Sequence, residues 1–153
     1  MKRAVLPLLV LLGLLAAAPV GLASNKSLEA ALKPYKTKLT VDVAYLGNFK
    51  APSKSKAAAA LKKLSAIKTV LTGAKRAAEG QQASTSKGAS GRTDVIAGVT
   101  DMLTATSEAT NSAKAAKSGK ASTAKADAKA EYKEVNKGIP PLEAGGMDLG
   151  LFG

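Results

Sequence analysis

The chain has 153 residues, 23 Lys/Arg against 11 Asp/Glu for a net charge of +12, and neither His nor Cys. The missing types exclude disulfides, metal sites other than all-carboxylate ones, the common nucleophile–base pairs and imidazole proton transfer. Three Tyr, two Phe and no Trp leave no platform of adjacent aromatics for stacking single-stranded nucleic acid.

The first 23 residues have the three-part pattern of a secretory signal. Lys2 and Arg3 precede an apolar run from Ala4 to Ala18, Pro19 breaks it, and Gly21-Leu22-Ala23 puts small residues at −3 and −1 of a cut before Ser24. The run is about long enough to act instead as an uncleaved anchor, but the small-residue cut site and the polar sequence after it favour cleavage. No Cys stands at the cut to take a lipid. The expected organisation is a signal peptide at 1–23, a helical domain at 24–138 and a flexible Pro/Gly-rich tail at 139–153.

From Ser27 to Leu46, the residues Leu28, Leu32, Tyr35, Leu39, Val43 and Leu46 recur by threes and fours, as on a helix. Pro34 should kink it. The Leu39-Val41-Val43-Tyr45 alternation resembles a strand, but no second strand is present to pair with it. Gly47-Asn48 is a stop signal.

After Ala51-Pro52-Ser53 the clearest segment begins. Ala57, Ala60, Leu64, Ile67, Leu71, Ala74 and Ala78 form an unbroken 3-4-3-4 apolar seam, the pattern of a helix packed on another. The stretch from Gly80 to Gly91, including Gly88-Ala89-Ser90-Gly91, reads as a fraying end and a turn. A third helix is expected to start near Thr93-Asp94 and to carry Val95, Val99, Met102, Thr106, Ala109, Ala113 and Ala116 inward. Ser118-Gly119 makes a turn. A fourth helix presents Ala121, Ala124, Ala128, Tyr132 and Val135 and stops at Gly138, with Pro140-Pro141 closing the domain and a mobile tail beyond.

The fold class read from these elements is all-α: an antiparallel bundle of about four helices after a cleaved signal peptide, with an Ala-rich core. Leu, Ile, Val and Phe supply only 22 of the 130 residues from Ser24 onward, a fraction so low that partial disorder is an alternative. Alanine makes up the apolar balance and favours slim, closely approaching helices, because it forms helix well and buries little area.

Charge is uneven. Residues 26–76 hold 12 Lys/Arg against Glu29 and Asp42, a net of +10, whereas residues 77–153 balance to zero. On the second helix Lys63 lies at one edge of the seam, Lys68 and Lys75 at the other, and Lys62 and Arg76 behind, with Lys50, Lys54 and Lys56 upstream. A basic amphipathic helix of this kind suits an anionic membrane surface or a polyanion such as a cell-wall polymer, and it equally suits a solvated face that keeps the protein soluble. Nucleic acid is a poor match, since Arg76 and Arg92 are the only arginines after the signal and Lys alone gives diffuse contacts. Asp127, Glu131 and Glu134 share one face of the fourth helix and read as a solvated acidic trio. Asn25-Lys26-Ser27 matches a glycosylation acceptor.

The function expected is a non-enzymatic, cofactor-free exported protein, secreted or held in the periplasm or cell envelope, that binds anionic envelope components through Lys50, Lys54, Lys56, Lys62, Lys63, Lys68, Lys75 and Arg76. The alternative is a structural or interaction module that self-associates through its Ala-lined seams.

Overall fold

The fold is taken from a computed structural model that describes residues 25–151. The export signal expected at 1–23 lies outside the described residues. The elements are α1 (Lys26–Leu32), a 3-10 turn (Lys33–Tyr35), α2 (Lys36–Gly47), α3 (Ala57–Glu79), α4 (Ser86–Lys117) and α5 (Ala121–Asp148). No strand occurs among the described residues. With α1 and α2 counted as one bent helix, four helices pack around a single main core.

The first helix is broken rather than kinked. Pro34 cannot donate the bond that an α-helix needs, and the chain passes it by tightening into the 3-10 turn. The turn swings Tyr35 against α3 at Gly73, where a Cβ would fall 2.8 Å from the ring. Six of the seven expected seam positions of α3, Ala57, Leu64, Ile67, Leu71, Ala74 and Ala78, are buried, and Ala60 is partly so.

The third helix starts seven residues before Thr93. Thr85 is its N-cap, in extended geometry, and its hydroxyl accepts from the Gly88 N–H at 3.0 Å, which satisfies a first-turn donor. Gly88 and Gly91, read from the sequence as turn residues, lie inside α4 because neighbours approach its backbone there. Gly88 is covered by the Asn25 side chain and Gly91 by Asp148 and Leu149. Asn25 is buried, donates to Thr85 Oγ1 at 2.9 Å and accepts from the Ser84 N–H at 3.2 Å. In the folded domain it is therefore no open glycan acceptor.

The largest departure from expectation is the C-terminal end. Neither Gly138 nor Pro140-Pro141 stops α5, which runs on to Asp148, so the described residues that follow Gly138 are mostly helix where a flexible tail was expected. Leu142, Leu149 and Leu151 are buried in the main core. Tertiary contact overrides the local cost of two prolines here: a Cβ at Gly138 would lie 2.9 Å from the Gly98 carbonyl oxygen, and one at Gly145 2.6 Å from that of Gly91. Backbone meets backbone along this α4–α5 pair, and the contact holds the helix across its weak point.

Schellman motifs close the C-termini of both α4 and α5. Gly119, at φ +77°, turns the chain between α4 and α5 while Lys120 N–H donates to Ala115 O at 2.8 Å. Gly150, at φ +67°, does the same at the far end, where Leu151 N–H donates to Gly146 O at 2.8 Å. Successive helices run antiparallel. Arg92 near the start of α4 donates to the Ala78 and Glu79 carbonyls at the end of α3, and Ser112 Oγ donates to the Ala124 carbonyl at 2.6 Å across the α4–α5 turn. Thus α4 packs on both α3 and α5, while α1 lies on α3 and α2 bears mainly on α5.

Candidate functional site

The eight basic residues singled out in the sequence do not form one surface. Lys62, Lys68 and Arg76 are exposed along α3, and Lys75 pairs with Glu79 at 3.8 Å. Lys54 is exposed in the α2–α3 connection. Lys50, Lys56 and Lys63, in contrast, converge on an open groove of about 670 Å³ at the end of the bundle where α2 stops and the chain crosses to α3.

The groove follows from helix lengths. Beyond Gly47 the chain crosses to α3 through residues 48–56, a non-helical connection that ends in a turn where the Lys56 N–H donates to the Ser53 carbonyl at 3.0 Å. Tyr45 and Phe49 line the groove from the end of α2, Ala51 and Pro52 from the connection, and Ala59 and Ala60 from α3. The Tyr45 and Phe49 rings stand 6.2 Å apart at 56°, a tilted pair. Ala51 also packs on a small alanine cluster of Ala57, Ala116 and Ala124.

Lys63 is the oriented member of the basic trio. Its ammonium is 3.6 Å from the buried Asp42 carboxylate and 5.7 Å from the centre of the Tyr45 ring, within cation–π range. Burial raises the pKa of Asp42, and the charge and hydrogen bond of Lys63 offset this only in part. Burial also raises the pKa of the Tyr45 phenol, with a further push from the negative charge of Glu131. Lys50 and Lys56 are exposed, and neither has an acidic group within ion-pair distance among the described residues. A guest anion at the groove therefore meets two uncommitted ammoniums and one held in place.

The acidic trio of α5 is not a solvated face. Glu131 is fully buried, whereas Asp127 and Glu134 stay partly exposed. Tyr132, expected in the seam, is instead among the exposed large side chains. Sequence reasoning missed Glu131 as an interior group. The signal was present: Ala124, Ala128, Glu131, Val135, Gly138, Leu142, Gly145 and Leu149 alternate by fours and threes without a break, and all are buried. Among the described residues no cluster of three or more acidic groups is placed to hold a metal ion, and no helix is long and apolar enough to cross a membrane. Arg92 is committed to capping α3, whereas Arg76 is exposed.

No protein-family model, curated protein or solved structure matches this chain. The functional reading therefore rests on the chemistry of the groove and its surroundings alone.

Proposed function

We propose that this is an exported, non-enzymatic helical-bundle protein that binds anionic components of the cell envelope, lipid headgroups or acidic wall polymer. The observation that carries the reading is the convergence of Lys50, Lys56 and Lys63 on a groove floored by Tyr45 and Phe49, in the half of the chain that holds all the net charge after the signal. Excess positive charge draws in anions over a Debye length, and the groove gives the attraction one place to act. Lys62, Lys68 and Arg76 extend the field along α3 without forming a site of their own.

Self-association through the alanine seams has less support, because the seams of α3, α4 and α5 already face one another within the chain. The reading is tested by sedimenting the purified protein with vesicles of neutral or partly anionic lipid, and with acidic wall polymer, across a salt series. Binding to an anionic partner that weakens steeply between low and physiological salt is expected. Equal binding to neutral and anionic surfaces, or none to either polyanion, would overturn it.

A further inference from the structure

We infer that the groove at the α2–α3 crossing takes a single alkyl phosphate: one phosphomonoester head among Lys50, Lys56 and Lys63, and one alkyl chain along the Tyr45–Phe49–Ala59 floor. This rests on the anionic-partner reading above and narrows it from a charged surface to a one-to-one ligand site.

Three features support the class. First, three lysines line one groove, and a phosphomonoester, with up to two negative charges and three acceptor oxygens, can use three ammoniums more fully than a carboxylate can. Second, the floor between those ammoniums is apolar. Phe49 is buried, Pro52 and Ala60 are partly so, and the methyl of Ala59 is open to the groove mouth. A bare inorganic anion would leave that floor wet, whereas an alkyl chain removes its apolar area from water. Third, the volume of about 670 Å³ falls within the range of roughly 300–1,000 Å³ common to small-ligand sites. The side of the groove open to solvent lets a long chain extend out of it, so the site can take an amphiphile larger than its own volume.

Lys63 has a distinct part. Held by Asp42 and by the Tyr45 ring, it offers a fixed ammonium that loses little side-chain entropy on binding. Lys50 and Lys56, unpaired and exposed, close over the head from the connection and from the start of α3.

The test is calorimetric titration of the purified protein with octyl, decyl and dodecyl phosphate below their micelle concentrations. Inorganic phosphate and a neutral dodecyl glycoside serve as separate arms, and vesicle sedimentation runs in parallel. Saturable one-to-one binding is expected for the alkyl phosphates, tightening by up to about fourfold per methylene until the floor is filled. Lys50→Gln with Lys56→Gln is expected to weaken it by about tenfold or more, the loss of two solvent-screened charge-assisted contacts. Ala59→Trp, at an exposed position that leaves the core intact, should block the chain and abolish alkyl phosphate binding. Inorganic phosphate binding as tightly as dodecyl phosphate would overturn the alkyl part of the inference. No saturable binding of any alkyl phosphate while anionic vesicles still sediment the protein overturns the groove ligand but spares the surface reading. Loss of both overturns both.

Discussion

Glu131 occupies a position that the spacing of its own helix assigns to an apolar side chain. It lies three residues after Ala128 and four before Val135, both buried, and it is buried with them. A carboxylate taken from water into such a place is expensive in solvation, and the interactions it gains there seldom return the full amount. Glu131→Leu is therefore expected to raise the unfolding free energy by about 1–3 kcal/mol in urea titrations. A loss of stability would mean that the native state needs this charge. The residue was legible in the sequence only through the full seam. Tyr132 is the larger apolar candidate and also stands at helical spacing from Ala128 and Val135, so a short window chooses it. The continuation through Gly138, Leu142, Gly145 and Leu149 decides for Glu131, and prolines and glycines made those positions look like tail. Asp42 shows the same burial cost in titratable form. Its pKa is raised in the folded state, chiefly by burial, so the folded protein holds that proton to higher pH than the unfolded chain does. The contribution to stability is then complete below the ordinary carboxylate range and is lost as pH rises through the raised value. Asp42→Asn should flatten this part of the profile: the stability of the native protein relative to the variant should fall as pH rises from the carboxylate range toward neutrality. A rising difference over that window would reverse the assignment.

At the scale of elements, periodicity placed α3 and most of α4 correctly because their seams are continuous and no seam position is Gly or Pro. It failed where local propensity and tertiary contact disagree. Gly88, Gly91, Gly138 and Gly145 are poor helix formers, and they stand where a side chain would push neighbouring segments apart. In isolation, glycines and prolines signal loops; in this hairpin the glycines let two backbones touch. Gly145→Ala tests this directly. On an exposed helix the change would stabilise by about 0.5–1 kcal/mol, whereas here the added Cβ meets the Gly91 carbonyl and the Val95 N–H and should destabilise by about 1–3 kcal/mol. The C-terminal turn gives a second test. Leu149 is buried, next to the Gly150 stop, so Leu149→Ala is expected to lower stability by about 2–4 kcal/mol in thermal or urea unfolding. A mobile tail would show no change.

For the whole molecule, the sequence showed the all-helical class, the Ala-rich core and the charge asymmetry, since composition and period carry these directly. It did not show how the basic residues divide, because that depends on where α2 ends relative to α3. Lys54, Lys62, Lys63, Lys68, Lys75 and Arg76 look alike in a list of charges, yet only Lys63 of these six lines the groove with Lys50 and Lys56. The separation gives two sets of residues with similar charge and different predicted weight. The most direct test of the account is therefore sedimentation with anionic vesicles at physiological salt, comparing the Lys50→Gln, Lys56→Gln, Lys63→Gln triple variant with a Lys62→Gln, Lys68→Gln, Arg76→Gln triple of equal net charge. The account predicts that the groove variant loses most of its binding, by about tenfold or more, while the α3 variant keeps most of its own. Equal losses in the two, or retention in the groove variant, would contradict it.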